Sequence, residues 1–294
     1  MKNIIQYIGI AVLIVFSFFY TEKTVTTIKN KDPLMIELEN KKDEYSVSAI
    51  DAKIIDTMII PGMKGCKVDV EGSYYNLKRL GEFNSNMLKY TSVKPKENLD
   101  KNYDKYIISG NKIKNTVSLI FKVKEKTDIT TVISILDEKK IKASFFIDGK
   151  YLEDNINQVN ELIKKGHEVL NYGYDNEYNK DLIVWQNNVI ERLNYNNPKF
   201  CYVEKEDTNI LNLCSNNKMM TILPNLIVSN NPLIDIKTNV SKGSLISFNI
   251  NDTLINELSL IINYIVQKGY NIDVVSKHLE ESTLSVCKKC NTCD

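Results

Sequence analysis

The sequence predicts an α/β protein: an irregular (β/α) barrel preceded by a small mixed α+β domain and an N-terminal membrane helix. From Asn115 onward, short apolar runs alternate with segments whose apolar residues recur at helical spacing. Such alternation is typical of a mostly parallel sheet with right-handed crossovers. Roughly seven repeats follow one another, which favours a barrel over an open sheet. The membrane helix is predicted from an uncharged apolar run at the N-terminus.

The elements of the barrel follow from local patterns. Residues 117–123 form an apolar run of strand type, and Ile129, Val132, Ile133 and Leu136 give a helical face in 128–139, where Asp128 suits an N-cap. The next helical face ends at Gly166. The remaining strands are predicted at 143–147, 168–170, 219–223, 244–248 and 272–275, and the remaining helices around 159–163, at 182–193 and at 254–267.

The part before the barrel predicts a smaller, mixed fold. Residues 46–60 alternate apolar and polar positions up to a turn at Pro61-Gly62, residues 68–70 resemble a short strand, and 73–80 resemble a helix before Gly81. Residues 24–45 are charged and poor in large apolar side chains, which indicates a stalk. The predicted organisation is a membrane segment at 1–23, a stalk at 24–45, a small domain at 46–110, the barrel at 111–281 and a cysteine-rich tail at 282–294.

The N-terminal run at 4–20 lies between Lys2 and the next charge at Glu22. Its length is near the short limit for a helix that spans a bilayer, and it closes with aromatic residues. An uncleaved signal-anchor is therefore predicted, with one pass through the cell membrane and the body outside the cytoplasm. A cleaved signal peptide is the alternative, although no small-x-small cleavage site follows the run.

The balance of acidic and basic residues indicates whether the protein binds nucleic acid. Lys and Arg number 38 and Asp and Glu number 37, so the formal net charge of the 294 residues is +1. Basic residues are scattered rather than gathered in an Arg-bearing patch, so we expect no nucleic-acid partner.

The six cysteines leave three interpretations open. Cys66, Cys201 and Cys214 are isolated, whereas Cys287, Cys290 and Cys293 form a terminal Cys-x-x-Cys-x-x-Cys. The tail can form disulfides internally or with Cys66, it can bind a metal ion if a fourth ligand such as His278 joins it, or it can be a frayed end with unselected thiols.

Five motifs in the barrel region together resemble the polysaccharide deacetylase family, also known as the NodB-homology family or carbohydrate esterase family 4. The segments Ala-Ser-Phe-Phe-Ile-Asp-Gly at 143–149 and Gly-His-Glu-Val-Leu-Asn at 166–171 are similar to the family's Ala-Thr-Phe-Phe-x-x-Gly and Gly-His-Glu-Ile-x-Asn. Residues 117–121, 242–248 and 268–270 resemble its first strand, its late strand and the segment after its last helix. The resemblance implies a deformed (β/α) barrel with a groove at the carboxyl ends of the strands.

The resemblance also implies a metal-dependent reaction, but the residues that carry it out in the family are replaced in this sequence. Family members hold a divalent ion, usually zinc, with an Asp and two His, and use another Asp as general base and a late His as general acid for deacetylation of N-acetylated sugars. The base position falls on Lys122, the first ligand on Val123, the two His ligands on Tyr172 and Asn176, and the late His on Asn249. The family's Arg-Pro-Pro segment falls near residues 202–204. We therefore expect no catalytic residues, no metal in the barrel and no cofactor.

Three functions are compatible with this pattern. The first is an inactive protein of the cell envelope that binds peptidoglycan or another cell-wall glycan through Lys122, Tyr172, Tyr174, Asn176 and Asn249, or that serves there as an assembly scaffold. The second is an active deacetylase or hydrolase with a relocated site. Its candidate carboxylates are Asp128, Asp148, Asp175 and Glu204. The third is an interaction module for envelope proteins in cell-wall or spore-coat assembly.

Overall fold

The structure is a computed structural model, which describes residues 10–17, 19, 29–175, 177–193, 200–284 and 287. Residues 10–17 are helical and their side chains are exposed. The rest of the predicted membrane segment, apart from residue 19, lies outside the described residues. Within those ranges, no helix is both long and apolar enough to cross a bilayer.

The chain forms two compact units that do not follow the predicted boundaries at 46 and 110. One unit comprises Met1–Ala49, Lys64–Lys94 and Thr283–Asp294, and the other comprises Ile50–Met63 and Pro95–Ser282. The predicted small domain is therefore divided between the two units, since a hairpin from its first half pairs with strands of the larger unit. Local patterning gives no sign of such long-range pairing.

Residues 33–49 and 64–94 of the smaller unit contain two α-helices and one pair of antiparallel strands. Helix α1 (Pro33–Lys41) is followed by a 3-10 turn at Lys42–Tyr45, and helix α2 (Val70–Leu80) lies between the antiparallel strands β3 (Gly65–Asp69) and β4 (Lys89–Val93). Gly81 ends α2 with a left-handed φ of 89°, as predicted for a C-terminal glycine.

The stalk prediction for 24–45 is wrong for residues 33–45. Met35 and Leu38 of α1 are buried, and Asp32 caps the helix by accepting a hydrogen bond from the backbone N–H of Leu34 at 3.0 Å. Met35 and Leu38 are three residues apart and so share one face of a helix. Because charged residues surround Met35 and Leu38, the composition of 24–45 did not indicate a packed helix.

The larger unit contains two sheets rather than one closed ring of hydrogen-bonded strands. The six-stranded sheet has the order β11-β12-β6-β7-β8, with β13 also paired to β6, and the five-stranded sheet has the order β1-β2-β5-β10-β9. All pairs are parallel except β1 with β2. The α/β class is confirmed, whereas these pairings do not establish a single barrel.

The strand bounds of the larger unit are β1 (Lys53–Ile55), β2 (Met58–Ile60), β5 (Tyr106–Ile107), β6 (Thr116–Val123), β7 (Ser144–Ile147), β8 (Glu168–Asn171), β9 (Phe200–Tyr202), β10 (Met220–Ile222), β11 (Leu226–Ile227), β12 (Leu245–Asn249) and β13 (Asn271–Ile272). Its helices are α3 (Thr130–Glu138), α4 (Gly149–Asp154), α5 (Ile156–Lys164), α6 (Lys180–Leu193), α7 (Thr208–Asn216), α8 (Pro232–Asn239), α9 (Asp252–Gln267) and α10 (Val275–Leu279), with 3-10 turns at Leu99–Lys101 and Lys112–Lys114. The predicted strand at 272–275 ends early because Val275 begins α10.

Two apolar cores lie on the two faces of the six-stranded sheet. On the helix side, Phe121 stacks with Phe145 and Phe248 at ring-centroid distances of 5.2 and 5.4 Å. On the other face, Ile120 and Phe146 belong to a core that includes residues of the five-stranded sheet, such as Tyr202. Alternate residues of a strand point to opposite faces. This alternation decides which side chains reach the groove.

Candidate functional site

The candidate site lies at the carboxyl ends of parallel strands, where the resemblance places the family's groove. Lys122 lies near the end of β6, Tyr172 directly follows β8, Tyr202 ends β9 and Asn249 ends β12. Asn249 is the register partner of Lys122 across the β12–β6 pair. Carboxyl ends of adjacent parallel strands meet at one edge, so distant segments converge here.

Lys122 occupies the position of the family's general base, and its ammonium forms an ion pair with Glu204. The Lys122 side chain is 2% exposed, whereas the Glu204 side chain is 50% exposed. The ammonium also lies 5.9 Å from the ring centroid of Tyr202. A buried cation needs a partner of opposite charge. Glu204 is therefore the group that allows a lysine to lie inside the groove.

Three tyrosines form the wall of the groove. The Tyr172 and Tyr202 rings meet edge to face at a centroid distance of 5.3 Å. The Tyr178 hydroxyl donates to the backbone carbonyl of Tyr202 at 3.0 Å and accepts from its N–H at 2.9 Å. The Tyr202 hydroxyl lies 2.7 Å from the Ser247 hydroxyl. These hydrogen bonds fix two of the three rings in place.

The remaining ring belongs to Tyr172, which is half-buried. Burial and the nearby carboxylates of Glu204 and Asp148 raise the pKa of Tyr172 to about 12. Its hydroxyl is therefore a neutral donor at physiological pH. Burial raises the pKa values of Tyr178 and Tyr202 even further.

The three tyrosines of the groove wall line a cavity of about 300 Å³. Its size is at the lower end of the range for small-molecule sites. The lining residues are aromatic, charged or apolar, namely Lys124, Tyr172, Tyr178, Tyr202, Val203, Glu204, Lys205, Asp207 and Ile210. The groove therefore keeps open space beside the Lys122–Glu204 ion pair.

The remaining predicted site residues do not all meet at this cavity. Val123 is fully buried in the helix-side core with Ile129, because it points to the opposite face from Lys122. Tyr174 and Asn249 do not line the cavity, and the Tyr174 hydroxyl donates to Glu153 at 2.7 Å. Asn176 lies outside the residues that the structure describes.

The described residues of the groove do not fit a divalent metal. Lys122 brings a positive charge, and Val123 offers no ligating atom. Within the described ranges, no three His, Cys, Asp or Glu side chains come together in a way that could hold an ion.

The carboxylates proposed for a relocated site have other contacts. Asp128 accepts a hydrogen bond from the N–H of Thr130 at 2.9 Å, and Asp148 accepts one from the N–H of Lys150 at 2.8 Å. The Asp148 contact caps the first turn of α4, whereas the Asp128 contact lies at the start of α3, whose N-cap is Ile129. Asp175 lies in a turn with a φ of 52°, and Glu204 pairs with Lys122. These contacts bring no two of the four together.

The two histidines are both buried in the interior of the larger unit. Burial lowers the pKa of His167 to about 4, and its Nδ1 accepts a hydrogen bond from the N–H of Ala143 at 3.3 Å. His278, the candidate fourth ligand for the cysteine tail, is 1% exposed, and burial lowers its pKa to about 3. Its Nδ1 lies 2.9 Å from the Ser118 hydroxyl. It belongs to α10, which the sequence pattern did not reveal.

The cysteines form two disulfides in the described part of the chain. Cys66 pairs with Cys287, one of the alternatives left open by the sequence, whereas Cys290 and Cys293 lie outside the described residues. Cys201 pairs with Cys214, which the sequence did not predict. This second disulfide closes the loop that carries Tyr202 to Ile210 along the cavity wall.

Sequence reasoning missed five residues of the cavity wall: Lys124, Tyr178, Lys205, Asp207 and Ile210. Lys124 directly follows Val123, and Lys205 directly follows the segment at 202–204, both of which the family resemblance had already singled out. Their positions shortly after strands that end at the groove could therefore have been used to predict both lysines. Tyr178 follows β8 after a longer loop, and no local pattern indicates its contact with Tyr202.

Comparison with known proteins agrees with this geometry. The family model described as "Polysaccharide deacetylase" matches residues 109–206. The uncharacterized protein YlxY of Bacillus subtilis (strain 168) is 26% identical over 285 residues, covering 89% of this chain and 88% of its own length.

Three solved structures are similar in fold. BA3943 of Bacillus anthracis, described as a CE4 family pseudoenzyme, has a TM-score of 0.63 at 21% identity over 86% of this chain and 97% of its own. A BA3943 mutant described as having restored enzymatic activity has a TM-score of 0.64 at 20% identity over 86% of this chain and 100% of its own. The Bc1960 peptidoglycan N-acetylglucosamine deacetylase has a TM-score of 0.53 at 22% identity over 59% of this chain and 92% of its own.

Proposed function

We propose that this chain, which belongs to the polysaccharide deacetylase family through its barrel-region domain, is an inactive member that binds a cell-wall glycan. One observation carries the proposal: the position of the catalytic base holds Lys122, buried and paired with Glu204, beside an open cavity lined by tyrosines. The site thus has a polar, aromatic recess in place of the residues that a metal-assisted reaction requires.

The loss of activity is supported by the chemistry of the replaced positions. A metal-activated water requires ligands that hold a cation, whereas Lys122 places an ammonium in the groove and Val123 points away from it. BA3943, which is similar over most of this chain, is itself described as a pseudoenzyme.

Glycan binding is supported by the surfaces that remain. Tyrosine rings offer apolar faces for sugar rings, and a neutral Tyr172 hydroxyl offers a donor for a sugar oxygen. The Bc1960 neighbour is described as acting on peptidoglycan, which makes a peptidoglycan unit a reasonable first ligand.

The cellular setting is part of the same proposal. An uncleaved signal-anchor places the body outside the cytoplasm, next to the cell wall, with envelope proteins as further partners. Two disulfides among the described residues suit an oxidising compartment.

Metal content and acetate release test the inactivity directly. The purified chain is compared with an active family deacetylase. We expect neither stoichiometric zinc nor turnover of an N-acetylglucosamine oligomer from the chain. Stoichiometric zinc together with acetate release by the wild-type chain would establish a relocated active site instead.

A further inference from the structure

The charges that line the groove cavity are unequally available to a ligand. Four ionisable side chains of fixed charge line it: Lys124, Lys205, Glu204 and Asp207. Both carboxylates already have partners within the protein. Glu204 pairs with the Lys122 ammonium, and Asp207 Oδ1 accepts the N–H groups of Asn209 and Ile210 at 3.0 and 3.1 Å.

Each carboxylate is therefore offset by a nearby positive charge. For Glu204 this charge is the buried ammonium of Lys122. For Asp207 it is the N-terminus of α7, whose first N–H groups carry a partial positive charge and donate to the carboxylate. Neither carboxylate adds a free negative charge to the cavity.

The two lysines, in contrast, are available. Lys124 and Lys205 are exposed, and neither forms an ion pair with any residue in the described part of the chain. The Lys124 ammonium lies 5.9 Å from the ring centroid of Tyr172. The cavity thus presents an aromatic face with a cation beside it, and a second cation on the loop after β9.

We propose that the cavity recognises an acidic sugar, a pyranose whose carboxylate pairs with Lys124 and Lys205 while its ring packs against Tyr172. This inference rests on the proposed glycan binding and names the ligand class. Two ammonium groups and one carboxylate form charge-assisted hydrogen bonds, which are stronger than neutral ones. A neutral sugar leaves both lysines without a partner and loses that contribution.

The test compares two probes that differ by one lactyl ether group, which carries the only carboxylate. The full-length chain is titrated with N-acetylmuramic acid and with N-acetylglucosamine at low and at high salt. We expect binding of the acidic sugar to be at least about tenfold tighter at low salt, and to weaken as salt screens the pair.

Matched variants locate the effect. Lys124→Met combined with Lys205→Met is expected to remove the preference for the acidic sugar, whereas Lys164→Met, an exposed lysine on α5, leaves it unchanged. Circular dichroism checks that each variant is folded.

The outcomes separate this inference from the proposed function. Equal affinity for both sugars, lost on Tyr172→Ala, would overturn the acidic preference and leave glycan binding intact. Binding of neither sugar by the folded wild-type chain would overturn both. An acidic preference that survives the double lysine substitution would also overturn the assignment to Lys124 and Lys205.

Discussion

The two family-like motifs at 143–149 and 166–171 and the groove beside them differ in what their side chains do. In the motifs, Phe145 fills the helix-side core, Asp148 caps α4, and Glu168 accepts a 2.7 Å hydrogen bond from Ser144. In the groove, the resemblance assigns the family's base to the position of Lys122 and a metal ligand to that of Tyr172. The residues that match the family motifs build strands and turns, and the positions that depart from them are those to which the resemblance assigns the chemistry.

This difference explains how a fold can be recognisable without its activity. The motif side chains are buried and each has several partners, so their replacement is costly. Tyr172 and Glu204 line a cavity, where new residues need only satisfy their own polar groups. Lys122 is buried beside the cavity and satisfies its charge through Glu204.

The largest effect is expected in the motif region, on truncation of Phe145. This side chain is fully buried and stacks with Phe121 at 5.2 Å, so Phe145→Ala should lower the free energy of unfolding by about 3–5 kcal/mol. Urea denaturation measures the change. Tyr172→Phe, on the groove side, is the control and should cost less than about 1 kcal/mol. Similar losses for both would remove the distinction between the two regions.

The disulfide beside the groove should matter nearly as much. Cys201 and Cys214 are 13 residues apart, so their replacement by Ala should cost about 3 kcal/mol, because the unfolded chain gains freedom. Because this loop carries the cavity wall from Tyr202 to Ile210, glycan affinity should fall as well. Calorimetric titration of the wild-type chain and of the variant with Cys201→Ala and Cys214→Ala checks the second effect, because the variant keeps the Cys66–Cys287 disulfide. Unchanged affinity in the folded variant would show that the wall does not need the crosslink.

The buried His167 should lower the free energy of unfolding at acidic pH. Burial lowers its pKa to about 4, below the unfolded value of 6.5, so the unfolded chain binds the proton more tightly. Stability is complete above pH 6.5 and is lost as the pH falls towards 4, by roughly 2–3 kcal/mol.

The slope of the free energy of unfolding against pH measures this contribution. His167→Gln should reduce the slope between pH 6.5 and 4, and the buried His278 should account for part of the slope that remains. An unchanged slope in the folded variant would mean that His167 is not held neutral.

A smaller effect is expected from the groove ion pair. Glu204→Gln leaves the Lys122 ammonium buried without its carboxylate and should cost about 2 kcal/mol, less than for a fully buried pair, since Glu204 is half exposed. Lys122→Met combined with Glu204→Gln should restore most of this loss, because the buried charge is gone. If the double variant is no more stable than the single one, the pair does not hold Lys122 in the groove.

Much of the fold was predictable because β6, β7, β8 and β12 are short runs that combine adjacent apolar residues with few charges. The boundaries of α6 and α9 also followed from helical spacing. Strand β9 and helix α7 were missed, since Phe200–Tyr202 has only three residues and Thr208–Asn216 is rich in Asn. Tertiary packing, rather than propensity, places them.

The site was less predictable, because its contacts join residues far apart in sequence. Of Lys122 and Tyr172, both of which the alignment of motifs assigned to the groove, Tyr172 lines the cavity. The partner of Lys122 lies 82 residues away, and no local pattern indicates it. The alignment assigned Val123 to the same site as Lys122. Because side chains alternate along a strand, Val123 instead lies in the core on the opposite face of the sheet.

The most direct test of a groove that binds without reacting uses one sample. The full-length chain is incubated with purified peptidoglycan, and both the retained protein and the released acetate are measured, beside an active family deacetylase. We predict retention that Tyr172→Ala weakens, with acetate release no greater than in a protein-free control. Acetate release at a rate comparable to that of the active enzyme would contradict the central claim.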